Sequence, residues 1–412
     1  MNREAHPRRT GPQPLALHLV AEILALMSSM AALPLLRNGS LSWNPNLQPL
    51  ATELMERIAQ TTPDAFTGVL RAEVQARFNA FTHGIHLYQK SPPSDRLKEP
   101  PVVWQSGVAK LLDFGATHEN AAEGSPILVV PSLINRGYVL DLTDKLSLLR
   151  DLAKRGLRPM LMDWGHPGEV ERAFALEDYI TGPLQGAFNQ VQEISGRDPA
   201  LLGYCMGGTL ALALASRNPG QISAMALLAT PWDFQAGQEV HLPALAAMAP
   251  GLEAVICALG VLPTDILQAM FAGLNPGGVS AKYRGLAGLK PGSAKARDFV
   301  ALEDWLNDGV PLAGPVAREC LFDWYLANTP AKRKWKVAGE VVDPAKTETA
   351  ALVVVPSSDY IVPPESAKPL AGLLPHARLK TVKAGHIGMV AGGRARSILY
   401  TPLGKWFEET IT

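Results

Sequence analysis

The chain has 412 residues, 47% of them hydrophobic and 18% charged, with 38 Lys plus Arg against 38 Asp plus Glu. That composition excludes a wholly disordered, collagenous or multi-span membrane chain, and a net charge of zero supplies no global field to draw the protein to nucleic acid. Three cysteines, Cys205, Cys257 and Cys320, are too few for a disulfide framework in so long a chain and point to a reducing, cytoplasmic compartment.

Residues 1–101 read as a helical N-terminal region. Arg3, Arg8 and Arg9 precede an apolar stretch at 15–36 whose composition resembles a signal peptide or a single span. His18 and Glu22 interrupt it and no small-x-small cleavage site follows, so the stretch is expected to be a buried helix or one that docks on a lipid surface. Val69, Val74, Phe78, Phe81 and Ile85 recur at near-helical spacing and predict a helix over 69–88. Two strands around a tight turn are expected at 102–105 and 108–114.

From residue 126 short apolar strands alternate with amphipathic helices. Strands are predicted at 127–130, 159–162, 200–204 and 224–228, and helices at 140–155, at 176–194 and from Met206. Strands that are apolar at nearly every position, separated by helix-length segments, imply a parallel sheet covered on both faces through right-handed crossovers, so the fold class is α/β. The alternation stops at Trp232. It resumes with a strand at 351–355, a helix from Glu365, a strand near 379–382 and a last helix at 394–409. The interval is expected to be a cap, placed to cover ligands at the carboxyl ends of the strands. The domain reading is therefore a helical region at 1–101, a core in two parts at 102–234 and 350–412, and a cap at 235–349 inserted after the sixth strand of a mostly parallel sheet.

Gly203-Tyr204-Cys205-Met206-Gly207-Gly208 lies between an apolar strand and an Ala/Leu-rich helix, in the form of a nucleophile elbow with Cys in place of Ser. Such a turn is sharp and strained, and Gly203, Gly207 and Gly208 supply the room it needs. The helix beginning at Met206 aims its unpaired N–H groups and positive dipole end at the Cys205 sulfur, which favours the thiolate and offers the Met206 amide to an oxyanion. Cys257 and Cys320 read as small buried cysteines within the cap.

In this fold the acid and the histidine follow the nucleophile in that order on loops after later strands. Asp359 comes just after the strand at 351–355, and His386 just after the one near 379–382. His376 lies before that strand, while His166 and His241 lie on the wrong loops. A second oxyanion donor is expected from the loop after the first long parallel strand, at the backbone of Leu133 or Ile134. Asp163-Trp164-Gly165-His166 closes the next strand and is read as shaping the pocket, with His166 structural. Neither a nucleotide fingerprint nor a metal-ligand cluster occurs in the sequence.

These segments, with Val130-Pro131-Ser132-Leu133-Ile134-Asn135, Leu140-Asp141-Leu142, Ser358-Asp359-Tyr360-Ile361-Val362-Pro363 and Gly385-His386-Ile387-Gly388, resemble those of polyhydroxyalkanoate synthases. The resemblance runs from about Val102 to the C-terminus. It implies an α/β-hydrolase core and a Cys205, Asp359, His386 triad acting on 3-hydroxyacyl-CoA thioesters, with no cofactor beyond the coenzyme A of the substrate. It also implies a homodimer and a cap over the site; the apolar stretch 15–36, outside the resemblance, is the candidate for contact with a lipid or polyester-granule surface in the cytoplasm. Cysteine suits such a transfer, because exchange with CoA makes a thioester from a thioester and keeps the acyl group activated. Trp305, Trp324 and Tyr325 in the cap are expected to exclude water and line an acyl pocket. Two other readings share the motif: a thioesterase or polyester depolymerase with water as acceptor, and a non-catalytic granule protein that retains the elbow.

Overall fold

Runs such as Ile127 to Val130, Ala200 to Leu202 and Val353 to Val355 are fully buried, which only a central sheet covered on both faces permits. The computed structural model describes residues 9–94 and 96–411; Arg3 and Arg8, ahead of the apolar stretch, lie outside them. One sheet has eight strands: β1 (Val102–Ser106), β2 (Ala109–Asp113), β3 (Ser125–Val130), β4 (Leu157–Asp163), β5 (Ala200–Tyr204), β6 (Met225–Leu228), β7 (Ala351–Pro356) and β8 (Ala377–Val382). Their spatial order is β1-β2-β4-β3-β5-β6-β7-β8. β2 pairs antiparallel with β1 and β4, and every other pairing is parallel. β3 and β5 are neighbours from which the chain winds outward in opposite directions, and a crevice opens at the carboxyl ends of such a pair. This is the α/β-hydrolase arrangement.

The expected helix at 140–155 is shorter than its apolar spacing implies. Only Leu148–Lys154 is helical, and residues 141–147 form a short antiparallel pairing. Asp141 Oδ1 accepts from Ser147 Oγ at 2.6 Å and from Arg150 Nε at 2.8 Å, while Ser147 Oγ caps the helix by accepting from Arg150 N–H. A capping serine in mid-segment starts the helix late.

The chain divides into two compact units, Met1–Ser94 with Gln268–Glu303, and Asp95–Leu267 with Asp304–Thr412. The first unit is helical. Its core joins Phe81, Ile85 and Tyr88 of the Pro63–Lys90 helix to Tyr283 and Leu286 of the Gly278–Ala287 helix. Gly84 permits that approach, since a Cβ there would lie 2.0 Å from the Tyr283 carbonyl oxygen. The apolar stretch is helical over Leu15–Ala31, and it is turned the unusual way round. His18 and Glu22 are buried, with Glu22 bound to Arg284 at 3.0 Å, whereas Leu17, Val20, Leu24 and Met27 are exposed.

Candidate active site

Cys205 follows β5 directly and precedes the Met206–Arg217 helix. Its φ of 56° and ψ of −131° are strained for a side chain other than glycine, at a cost of about 1–3 kcal/mol. Two hydrogen bonds hold the bend: Cys205 N–H donates to the Leu228 carbonyl at 2.9 Å, and the Cys205 carbonyl accepts from Gly208 N–H at 2.9 Å. The flanking glycines are required by contact. A Cβ at Gly203 would lie 2.3 Å from Gly208 Cα, and one at Gly207 would lie 2.1 Å from the Val130 carbonyl oxygen and 2.5 Å from that of Pro131. Gly208 meets Thr230 as closely, at 1.9 Å from its Oγ1. The Gly207 contact matters for the site, because it brings the start of the helix against the loop that follows β3.

That loop carries the expected oxyanion donors. Ile134 N–H donates to Ser132 Oγ at 3.0 Å, closing a local turn, so Leu133 N–H is the donor of the two with no partner among the described residues. Met206 N–H, the first of its helix, belongs to the groups that no helical carbonyl reaches. Trp164 Nε1 donates to the Pro131 carbonyl at 3.0 Å and pins the loop from the β4 side. His166, two residues on, is exposed, and the partial desolvation it does undergo lowers its pKa.

The acid and the imidazole arrive on adjacent loops. β7 and β8 pair along their length, and beyond them Ser358 N–H donates to the Ala384 carbonyl at 3.0 Å. The Asp359 side chain is fully enclosed. Its Oδ1 accepts from Ile361 N–H at 2.8 Å and Val362 N–H at 2.9 Å, and its Oδ2 accepts from His386 Nδ1 at 2.6 Å. With Nδ1–H committed to the carboxylate, Nε2 is the nitrogen left for Cys205, with which the imidazole also hydrogen-bonds. Burial by itself would lower the pKa of His386. The charge of Cys205 and the hydrogen bonds to Asp359 and Cys205 outweigh it and push the group up to about 10. A sulfur, an imidazole and a carboxylate in series can move a proton off the sulfur and keep the resulting cation beside it.

Two tyrosines complete the surroundings. Tyr204, just before the nucleophile, stacks its ring on His386 with centroids 5.2 Å apart and donates to the His386 carbonyl at 3.3 Å. The sequence reading passed over it, although an aromatic next to the elbow cysteine was the available signal. Tyr325 lies within the field of Cys205; burial first, and then that charge, raise its phenol above the ordinary range. Of the other aromatics expected at an acyl pocket, Trp324 packs on Phe234 and Trp335 at 5.0 and 5.1 Å, and Trp305 Nε1 donates to the Arg136 carbonyl at 2.7 Å. Cys320 is buried as expected, but Cys257 is exposed. It follows Ile256 on a helix that buries Leu252 and Ile256, and one step of about 100° carries it off that face.

Comparison with known proteins adds two family matches: a family described as "alpha/beta hydrolase fold" over residues 125–247, and the "Poly-beta-hydroxybutyrate polymerase (PhaC) N-terminus" over residues 97–152. Several curated relatives carry the name Poly(3-hydroxyalkanoate) polymerase subunit PhaC. That of Haloferax mediterranei is 31% identical over 75% of this chain and 63% of its own length, just under two thirds of it. That of Synechocystis sp. is 31% identical over 74% of this chain and 83% of its own length. That of Allochromatium vinosum is 28% identical over 70% of this chain and 82% of its own.

Proposed function

Because this chain belongs to the poly(3-hydroxyalkanoate) polymerase family, we propose that it is an acyltransferase that polymerises 3-hydroxyacyl-CoA thioesters into polyester through a thioester on Cys205. The observation that carries this reading is the series Cys205, His386, Asp359 at the carboxyl edge of the sheet, with Asp359 Oδ2 2.6 Å from His386 Nδ1 and the same imidazole bonded to Cys205. In the first half-reaction His386 takes the Cys205 proton, the sulfur attacks the thioester carbonyl, and CoA leaves as the thiol with the proton that His386 returns. The amides of Met206 and Leu133 stabilise the oxyanion formed on the way. In the second, the hydroxyl of another 3-hydroxyacyl unit attacks the enzyme thioester. An ester bond forms, the C–S bond breaks, and the hydroxyl proton passes through His386 to the sulfur.

A neutral apolar surface belongs to the same proposal. The exposed side of Leu15–Ala31 carries Leu17, Val20, Leu24 and Met27 and no Lys or Arg, so it matches an uncharged polyester better than an anionic membrane, whose attraction depends on basic residues. A homodimer in the cytoplasm, working at the granule surface, completes the reading; the three free thiols are in keeping with a reducing compartment.

The test is incubation with 3-hydroxybutyryl-CoA, following CoA release and product size together. Cys205→Ala is expected to lower CoA release by at least about 10³-fold, as for a missing nucleophile. Undiminished release in that variant rejects Cys205 as the nucleophile, and release of free hydroxy acid without polymer rejects the polymerase in favour of a thioesterase.

A further inference from the structure

A cavity of about 710 Å³ opens at the amino-terminal edge of the sheet, walled by the last turn of the Met206–Arg217 helix, the loop leading into β6 and the segment leading into β7. Cys205 stands at the first end of that same helix, so roughly 18 Å of helix separates the cavity from the elbow. The volume is in the range of small-ligand sites. Part of the wall is apolar, from Ile222, Val337 and Val341, and part is cationic, from Arg217 and Lys346, which form no ion pair among the described residues. Two buried polar atoms in this lining, Arg217 Nε and Thr347 Oγ1, have no hydrogen-bond partner among the described residues, and Thr347 as a whole is only 5% exposed. Unpartnered buried donors are rare because they are costly, and two in the wall of one cavity signal an occupant that pairs them.

The charges narrow the choice of occupant. Asp343 is drawn to Arg333 at 3.8 Å, Glu348 meets the His376 imidazole at 3.1 Å and keeps its charge wherever that ring is neutral, and the Glu340 side chain stands without a partner among the described residues. The last carbonyls of the helix add the negative end of its dipole. Such a field accommodates one negative charge against Arg217 and Lys346 and opposes a dianion. We infer that the cavity is a second ligand site, for a small aliphatic carboxylate whose head pairs with Arg217 and whose body lies on Ile222, Val337 and Val341. A hydroxyl on that body meets Thr347. Both unpaired atoms are themselves enclosed, so a turn between staggered rotamers of each side chain is required to bring them to the ligand. Binding here does not depend on acyl transfer, so a chain without activity would still bind.

Calorimetric titration of the full chain with hexanoate and 3-hydroxyhexanoate, and with inorganic phosphate at pH 8 as the dianion, tests the assignment. Saturable carboxylate binding is expected in wild type and equally in Cys205→Ala, and it is the Arg217 variant, in a residue that lines this cavity alone, that separates it from the catalytic pocket. Arg217→Met is expected to weaken it roughly ten- to hundredfold, the loss that goes with a charged hydrogen bond. Thr347→Val weakens the hydroxy acid several-fold more than hexanoate, Thr347→Ser restores it, and CoA release is unchanged in all three. No saturable binding up to about 10 mM overturns the proposal, that being the weakest affinity a built site is expected to show. Equal affinity in Arg217→Met and Thr347→Val, or phosphate binding as tightly as the acids, overturns it as well.

Discussion

Two apolar helices in this chain are folded in opposite senses. Every residue from Met206 to Ala215 is buried, glycines and alanines included, and the helix lies in the middle of the α/β unit. In Leu15–Ala31 the buried residues are His18 and Glu22, while Leu24 and Met27 are 61% and 63% exposed. Apolar content alone does not decide burial. Small residues let the first helix meet the backbone of its neighbours, at Gly207 above all, whereas the second packs Leu15 and Leu19 partly against the core of its unit, pairs Glu22 with Arg284, and leaves Leu17, Val20, Leu24 and Met27 for another medium.

The sharpest way to break this contrast is to add one carbon to an enclosed glycine and one to an exposed glycine of the α/β unit. At Gly207 a Cβ meets the Val130 and Pro131 carbonyl oxygens, both backbone, so the loop after β3 must move. Gly207→Ala is expected to destabilise the fold by about 3 kcal/mol, as overpacking does, and to lower CoA release by about 10²-fold through displacement of the Leu133 amide. Gly251→Ala, in the exposed Leu242–Leu259 helix, meets nothing within 4 Å and is expected to be neutral or to stabilise by about 0.4–1 kcal/mol. Urea denaturation and turnover measured side by side decide it; equal stability of the two variants removes the close contact from the account.

The next effect is electrostatic and lies at the start of the enclosed helix. His386 is raised above the ordinary imidazole value of about 6.5 to about 10 in the folded chain. A raised histidine contributes stability that is complete below the unfolded pKa and is lost as pH rises through about 10. The charge of Cys205 is the largest of the causes that raise it. Cys205→Ala is therefore expected to lower the His386 pKa by about one to three units, followed by histidine NMR titration. An unchanged titration would mean that the sulfur and the imidazole do not interact.

The central strands and the elbow were legible because every position of Ala200–Tyr204 is apolar and the glycines sit at fixed offsets from Cys205. The order of nucleophile, acid and histidine along the chain was equally readable. What the residues did not announce depends on contacts made after folding. Asp141 binds Ser147 and Arg150 and keeps residues 141–147 out of the expected helix, and the Ser132 hydroxyl occupies Ile134 N–H and leaves the Leu133 amide. Tyr204 on His386 joins residues 182 positions apart. The orientation of Leu15–Ala31 was left between a buried and a surface-docking helix, because it turns on Arg284, far along the chain, claiming Glu22.

That orientation gives the smallest effect and the most selective one. Leu24 already stands in solvent, so replacing it removes no packing and Leu24→Ser is expected to change stability by less than about 0.5 kcal/mol. What it removes is apolar area available to a surface, about 1 kcal/mol for the exposed part of one leucine, or roughly fivefold in partition onto poly(3-hydroxybutyrate) particles. Glu22→Ala does the reverse. It leaves Arg284 with Ser280 Oγ but no carboxylate and is expected to cost about 1–3 kcal/mol of stability while leaving the exposed face intact. Sedimentation with polyester particles, alongside thermal unfolding, separates the two. Leu24→Ser unfolding early while still partitioning like wild type would place that face in a core instead of against an apolar surface, and preference for anionic vesicles over polyester would replace the neutral occupant with a charged one.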